Sequence, residues 1–86
     1  MARYEIILRK SVRKDLDSIP KRDVRRILAD IAGLADNPRP PQSLKLSGSE
    51  KYRLRRGVYR ILYEIQDEIL IVCVVKVGHR REVYRQ

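Results

Sequence analysis

The segment 51–66, KYRLRRGVYRILYEIQ, decides the fold, because it has the pattern of two β-strands joined by a tight turn. Apolar and charged side chains alternate on both sides of Gly57, as in a sheet with one buried face. We predict strands at 51–55 and 58–66, with Arg56 and Gly57 as a two-residue turn. The hairpin indicates that the second half of the chain forms a mainly antiparallel sheet.

The predicted turn also determines which side chains share a face of the sheet. Counting back from it, Arg53 lies directly opposite Arg60, and residues opposite each other project to the same side. One side holds apolar and aromatic residues that can pack on helices: Tyr52, Leu54, Tyr59, Ile61 and Tyr63. The other side, here named the cationic face, holds Lys51, Arg53, Arg55 and Arg60.

The cationic face conflicts with good folding, because like charges directly across a ladder destabilise a sheet by some tenths of a kcal/mol. Such conflicts are expected where a surface binds an anion. A solvated face whose long side chains splay apart explains the same pattern equally well.

The chain before the hairpin has helical periodicity. Segment 3–9 is a short isoleucine-rich strand, and Ser11 is placed to cap a helix that runs to about Ile19. Pro20 fits the first turn of a second helix. That helix has one apolar stripe with the spacing of a buried face, formed by Val24, Ile27, Leu28, Ile31, Leu34 and Ala35.

The chain after the hairpin starts with an apolar run. Segment 69–77 is apolar on both faces, as a central strand would be. Gly78 is expected to interrupt it, and 81–85 to form a last short strand. We predict an α+β fold of order β-α-α-β-β-β, with two helices on a mainly antiparallel sheet of four or five strands, in a single domain at 1–86.

Composition favours an anionic partner. The chain has 20 Lys and Arg against 11 Asp and Glu, a formal charge of +9, which favours nucleic acid, a membrane surface or an acidic protein. Its longest apolar run is far shorter than the roughly 20 residues that span a bilayer. Cys73 is the only cysteine and lies in an apolar run, so we expect a core residue. A cytoplasmic protein without a membrane partner is the expectation.

The C-terminal segment adds to the cationic face. Strand alternation from Arg80 puts Tyr84 on the same side and His79 on the other. A bulge at Gly78 would reverse this assignment. An aromatic ring beside guanidinium groups suits an unstacked RNA base next to its phosphate.

These stretches resemble a known toxin superfamily. Segments 51–65 and 77–84 (VGHRREVY) look like the two signature stretches of the RelE/ParE superfamily, and LKLSG at 44–48 resembles the KLxG motif before the first stretch. The resemblance implies a RelE-like fold and a metal-independent endoribonuclease that cuts messenger RNA in the ribosomal A site. The implied reaction is attack of a ribose 2′-hydroxyl on the adjacent phosphate, which stops translation.

The resemblance also implies the site residues. Its catalytic set falls on Lys51, Arg53, Arg60, Arg80 and Tyr84, and its RNA-binding surroundings on Lys45, Arg55, Arg56 and Arg81. Lys51 is the candidate base, since arginine stays protonated. Arg53 gives electrostatic support, Arg60 clamps the phosphate and Arg80 is near the leaving oxygen. Tyr84 stacks on a base.

Two groups keep open alternatives. His79, the only histidine, is either a catalytic acid or a packing residue at a strand start. The cations of the second helix, Lys21, Arg22, Arg25 and Arg26, form either a solvated face or an auxiliary contact to ribosomal RNA. Neither a cofactor nor a metal site is expected, because one histidine and one cysteine make a poor ligand set.

The implied partners are an acidic RelB-like antitoxin that folds on binding, the ribosome and messenger RNA. Direct DNA binding is not expected. Three other functions stay open: a ParE-type toxin that inhibits gyrase, a non-catalytic RNA-binding or ribosome-binding module, and an inactive toxin kept as an antitoxin partner. Loss of cleavage on replacing Arg60 or Tyr84 separates the enzyme from the binding module.

Overall fold

A computed structural model describes residues 3–81 and contains two helices and five strands in this part of the chain. The elements are β1 (Glu5–Leu8), α1 (Lys10–Asp17), α2 (Lys21–Gly33), β2 (Ser43–Lys45), β3 (Lys51–Arg56), β4 (Tyr59–Gln66) and β5 (Ile71–His79). The predicted α+β class and the packing of two helices on a mainly antiparallel sheet are confirmed. The last strand predicted at 81–85 lies outside the described residues apart from Arg81.

The five strands form one sheet in the order β1-β5-β4-β3-β2. The β2–β3, β3–β4 and β4–β5 pairs are antiparallel, whereas β1 runs parallel to β5. The fifth strand is therefore the short β2, from a segment for which we predicted no strand. Parallel pairing of β1 with β5 requires a long connection, and the chain from α1 through β4 supplies it.

Both helices pack on one face of the sheet. Val12 and Ile27 are fully buried, and they meet Ile61, Tyr63 and Val74 from the central strands. The predicted stripe of α2 is buried at Ile27, Ile31, Leu34 and Ala35, whereas Leu28 is exposed. The apolar face of the sheet therefore forms the core, as its alternation predicts.

The start of α1 differs from the prediction. The helix begins at Lys10 with Arg9 in extended conformation before it, and no side chain caps it. Ser11 lies inside the first turn, so its assignment as N-cap is wrong. The cause is the short β1: the strand ends at Leu8, and the chain turns two residues before Ser11.

The β3–β4 hairpin has a different register from the predicted one. Gly57, with φ +59°, takes the first loop position and Val58 the second, as a type II′ turn requires. The prediction of Arg56 and Gly57 as the loop is therefore wrong by one residue. Because the change moves each pairing by two residues, every side chain keeps its predicted face.

The strand β5 starts and ends later than predicted. A 3-10 turn at Asp67–Ile69 and a left-handed Leu70 (φ 54°) precede it, so β5 begins at Ile71. Gly78 does not interrupt the strand, since it pairs with Arg60 within the ladder. The irregularity lies earlier: Tyr63 pairs with Val74 and Leu62 with Lys76, which leaves Val75 as the extra residue of a β-bulge.

A polar network joins the loop before β2 to the β4–β5 turn. Arg39 donates from both terminal nitrogens to Asp67, at 3.2 and 2.8 Å, and from Nε to the Tyr52 hydroxyl at 3.1 Å. The Tyr4 hydroxyl also donates to Asp67, at 2.6 Å. The hydrogen bonds from Arg39 and Tyr4 lower the pKa of Asp67 to about 2.

This network predicts acid sensitivity. The folded-state pKa of Asp67 lies below its ordinary value of 3.8, so the stability it contributes is present above about pH 4 and is lost as the pH falls towards 2. In the unmodified chain we expect the urea concentration at the unfolding midpoint to fall between pH 4 and pH 2. In Asp67→Asn we expect a smaller fall over the same pH range. Equal declines in both proteins would contradict the role of Asp67. The effect is small because the carboxylate is solvent-screened.

Candidate active site

The four residues of the cationic face lie on the side of the sheet turned away from the helices. Lys51, Arg53 and Arg55 alternate along β3, and Arg60 is on β4. Their β3 neighbours Tyr52 and Leu54 pack in the core on the other side. The faces deduced from the alternation are therefore confirmed.

The direct cross-strand pair on this face is Arg55 with Arg60, and not Arg53 with Arg60 as predicted. Arg53 instead lies opposite Leu62. The cause is the shift of the turn to Gly57 and Val58. Arg55, which we had placed among the RNA-binding surroundings, thus lies at the centre of the cluster.

Arg55 and Arg60 differ in burial. Arg55 is exposed, whereas Arg60 is only 8% exposed. Nη1 of Arg60 donates to the carbonyl oxygens of Gly57 and Tyr59, both at 3.0 Å. These bonds fix the guanidinium against the hairpin turn. The cationic face therefore has one exposed cation, Arg55, whose side chain can change conformation. The second cation, Arg60, is buried and held in one position by its hydrogen bonds.

Lys51 lies at the far end of the cationic face, next to the carboxylate of Glu64. Lys51 pairs with Glu64 of β4, and its Nζ is 3.9 Å from Glu64 Oε2. Nη2 of Arg9 is 3.9 Å from the other carboxylate oxygen. Lys51 is four residues along β3 from Arg55, about 13 Å by the rise of a strand. The structure thus separates Lys51 from the Arg55–Arg60 pair.

The end of β5 brings Arg80 to the cationic face. Gly78 lies opposite Arg60, and the Arg80 amide donates to the Val58 carbonyl at 2.7 Å, which extends the ladder beyond the strand. Alternation then puts the Arg80 side chain on the side of Arg60. Arg81 is exposed at the end of the described residues, and Tyr84 lies outside them.

His79 lies on the apolar face, as alternation from Arg80 predicts. It pairs with Tyr59, and the two rings meet edge to face with centroids 6.3 Å apart. Its Nδ1 accepts the Arg81 amide at 3.2 Å. These contacts match the packing alternative for His79, on the opposite side of the sheet from Arg60.

Two of the predicted RNA-binding residues are not on the cationic face. Arg56 points to the helices, where Nε and Nη2 both lie 2.6 Å from the Asp30 carboxylate of α2. Hydrogen bonding to Asp30 raises the pKa of Arg56. Lys45 lies opposite Tyr52, so it too is on the side of the helices. The structure brings neither residue to Arg60.

The remaining part of this side of the sheet is apolar. Leu62 and Val75 are buried there, with Leu46 and Cys73 packed against them. Cys73 is therefore partly buried against this cluster, whereas a buried core residue was predicted. Within residues 3–81, no group of three or more His, Cys, Asp and Glu side chains is arranged to hold a metal ion. In the same range no helix has the length and apolar character needed to cross a membrane.

Comparison of the sequence with known proteins gives a consistent family. A sequence model described as the ParE toxin of the type II toxin–antitoxin system parDE matches residues 6–84. The toxin RelG of Mycobacterium tuberculosis is 34% identical over 89 residues, which cover 96% of this chain and 98% of RelG. A putative RelE-like toxin of Escherichia coli is 33% identical and covers 91% of this chain and 84% of its own length.

Solved structures with this fold agree. One is the archaeal RelE–RelB complex of Pyrococcus horikoshii, with a TM-score of 0.82, 30% identity and full coverage of both chains. The RelBE2 toxin–antitoxin complex of M. tuberculosis has a TM-score of 0.79, with 30% identity over 93% of this chain and 94% of the other. The similarity therefore includes the helical layer as well as the sheet.

Proposed function

Because this chain belongs to the RelE/ParE superfamily and is a RelE-type toxin of a type II toxin–antitoxin system, we propose that it is an endoribonuclease that cuts messenger RNA in the ribosomal A site. The reaction needs no metal ion and stops translation in the cytoplasm. The observation that carries the proposal is the juxtaposition of Arg55 and Arg60 on the exposed side of the sheet, with Arg53 and Arg80 beside them.

The physical argument for this proposal is the electrostatic repulsion between Arg55 and Arg60. Arg55 and Arg60 lie directly across the ladder from each other, and two guanidinium groups in such a pair repel each other. Such an arrangement is stabilised when an anion with several oxygens lies across it. A phosphate in an RNA strand, which gains charge as it becomes a phosphorane, fits this requirement.

The proposed chemistry is internal transfer of the phosphate. The ribose 2′-oxygen attacks the adjacent phosphorus, the bond from phosphorus to the 5′-oxygen breaks, and a 2′,3′-cyclic phosphate and a 5′-hydroxyl remain. One proton leaves the 2′-hydroxyl and one is delivered to the 5′-oxygen, so no net proton is consumed.

The residues divide these tasks. Arg60, fixed by the turn carbonyls, stabilises the phosphorane without reorganising, and Arg55 and Arg53 hold the neighbouring phosphates. Arg80 acts near the leaving oxygen, and Tyr84 stacks on a base. Lys51 remains the proposed base. In its neutral form Lys51 Nζ takes the proton from the 2′-hydroxyl, and Glu64 beside it stabilises the ammonium that forms.

The proposed partners follow from charge and from the relatives. RelE–RelB complexes of other organisms have this fold, and this chain has a formal charge of +9. We therefore expect an acidic antitoxin that covers the cationic face and keeps RNA away from it. The ribosome supplies the messenger RNA strand.

A gyrase-inhibiting toxin is the main rival, because the matching family model is described as a ParE toxin. The curated relatives named RelG and RelE-like toxin favour the RelE type. The two functions are separated by their products. Incubation with programmed ribosomes is expected to give RNA fragments whose 3′ ends have the mass of a cyclic phosphate. Fragments with 3′-hydroxyl ends, or intact RNA with inhibited supercoiling of plasmid DNA, would contradict the proposal.

The neighbours Arg55 and Arg56 offer a matched pair of variants for RNA binding. The probe is a single-stranded oligonucleotide with 2′-deoxyribose at the cleavage position. We expect Arg55→Gln to weaken binding and to reduce the slope of log affinity against log salt by about 1. Arg56→Gln, which removes a cation bound to Asp30 on the other side, is expected to change neither.

Fluorescence anisotropy across a salt series measures both variants. Equal losses from Arg55→Gln and Arg56→Gln would contradict the assignment of RNA to the cationic face, because they would show a response to net charge alone.

A further inference from the structure

Beyond Val74, the second half of β5 has no strand from residues 3–81 on one of its two edges. β1 pairs with β5 only as far as Leu8, which lies opposite Val74, whereas β5 continues to His79. Amides of β5 that point to this edge beyond Val74 therefore need another acceptor. The helix α1 crosses here, because it follows β1 after a single residue.

Asp15 of α1 takes the place of the missing strand. Its Oδ2 accepts the Val77 amide at 3.1 Å, and its Oδ1 accepts the Lys76 ammonium at 3.0 Å. The side chains of Asp15 and Lys76 are only 15% and 23% exposed. Both oxygens of one largely buried carboxylate thus hold two successive residues of β5.

These two residues directly follow the bulge at Val75. The core-facing residues of β5 are Val72 and Val74 before the bulge and Val77 after it, so the extra residue shifts the alternation by one. Without this shift, the even-numbered residues would continue to face the helices, and Arg80 would be among them. The bulge is therefore what puts Arg80 on the side of Arg60.

A one-residue slip that absorbs Val75 into the ladder is the competing register. In that register the Val77 amide would point to the other edge of β5, away from α1, because successive amides alternate between edges. The hydrogen bond from Val77 to Asp15 exists only with the bulge, so Asp15 favours the bulged register.

We propose that Asp15 is a positioning residue for the cationic face: by holding Lys76 and the Val77 amide, it keeps β5 in its bulged register and Arg80 beside Arg60. The effect on RNA cleavage rests on the proposed function, whereas the effect on the register does not. Asp15 itself is on the helix side of the sheet and does not touch the RNA.

Three variants separate positioning from general damage. Asp15→Ala removes both contacts and keeps a strong helix former in α1. Asp15→Asn retains an oxygen for the Val77 amide but loses the charge. Asp17→Ala removes the neighbouring exposed carboxylate of the same helix and serves as the matched control.

The first readout is structural and needs no activity. In NMR spectra of the full chain, we expect Asp15→Ala to speed hydrogen exchange of the Val77 amide and to weaken the cross-strand contact between Gly78 and Arg60. Asp15→Asn and Asp17→Ala should keep both. Retention of the contact and of the slow exchange in Asp15→Ala would overturn the proposal.

The second readout is kinetic. On programmed ribosomes, Asp15→Ala is expected to lower kcat about tenfold with little change in KM. The reason is that Arg80, displaced from its position, no longer assists the chemical step, whereas binding of the RNA is little affected. Asp15→Asn should restore most of the kcat. Combined with Arg80→Ala, Asp15→Ala should add little further loss, whereas with Lys51→Ala the two losses should multiply.

If the kcat losses of Asp15→Ala and Arg80→Ala multiply in the double variant, the proposal that Asp15 positions Arg80 is overturned. Absence of RNA cleavage by the unmodified chain would instead refute the proposed function, and the NMR result would still decide the role of Asp15.

Discussion

Replacing Arg60 by alanine is expected to lower the rate of RNA cleavage by about two to three orders of magnitude, the usual effect of removing a preorganised donor from a developing oxyanion. Its guanidinium is fixed by the carbonyls of Gly57 and Tyr59 and lies directly across from Arg55. Because these contacts exist before RNA binds, Arg60 loses little freedom in the transition state. Single-turnover cleavage on programmed ribosomes measures the effect.

The lysine variant serves as the control for charge. Arg60→Lys keeps the cation but cannot hold both turn carbonyls and a phosphate with one planar fork. We expect it to remain well below the unmodified rate. Full activity in Arg60→Lys would mean that the face acts through charge alone, and unchanged activity in Arg60→Ala would remove Arg60 from the mechanism.

Replacing Tyr63 by alanine is expected to cost about 3–5 kcal/mol of unfolding free energy, as for other large aromatic residues in a core. Tyr63 is fully buried on the central strand β4, stacks on Tyr52 with ring centroids 5.8 Å apart, and donates to the Pro38 carbonyl at 2.7 Å. Burial raises the pKa of its hydroxyl. Since small domains have about 5–15 kcal/mol in total, this variant should be close to unfolding.

Urea denaturation tests this prediction with two further variants. Tyr63→Phe keeps the ring and should lose about 1–3 kcal/mol, because the Pro38 carbonyl is left without its donor. Val58→Ala, at the exposed turn position, should change stability by less than about 0.5 kcal/mol. A loss in Tyr63→Ala as small as that in Val58→Ala would show that Tyr63 is not a core residue in solution.

The faces of the sheet could be predicted from the sequence because they depend only on alternation. The turn was misplaced by one residue, but that error moves each pairing by two, and two residues is the period of a strand. Lys51, Arg53, Arg55 and Arg60 therefore stayed on one face. The direct pairing of Arg55 with Arg60 was missed for the same reason, since it depends on the conformation that Gly57 adopts.

Features that depend on contacts distant in sequence could not be predicted. The contacts of Asp15 and the Arg39–Asp67 pair join segments that are far apart in the sequence. The position of Arg56 has the same origin: no carboxylate occurs in the sequence between Lys51 and Tyr63, and only the approach of Asp30 from α2 gives Arg56 an acidic partner. The bulge at Val75 depends on how β5 pairs with β4, which the sequence of β5 alone does not determine.

Primer extension on a defined messenger, with and without programmed ribosomes, tests the central claim most directly. We expect discrete cuts within the codon in the ribosomal A site for the unmodified chain and for Arg56→Gln, and no detectable cuts in the same incubation time for Arg60→Ala, whose cleavage is far slower. Intact messenger under conditions in which the protein still stops growth would contradict the account.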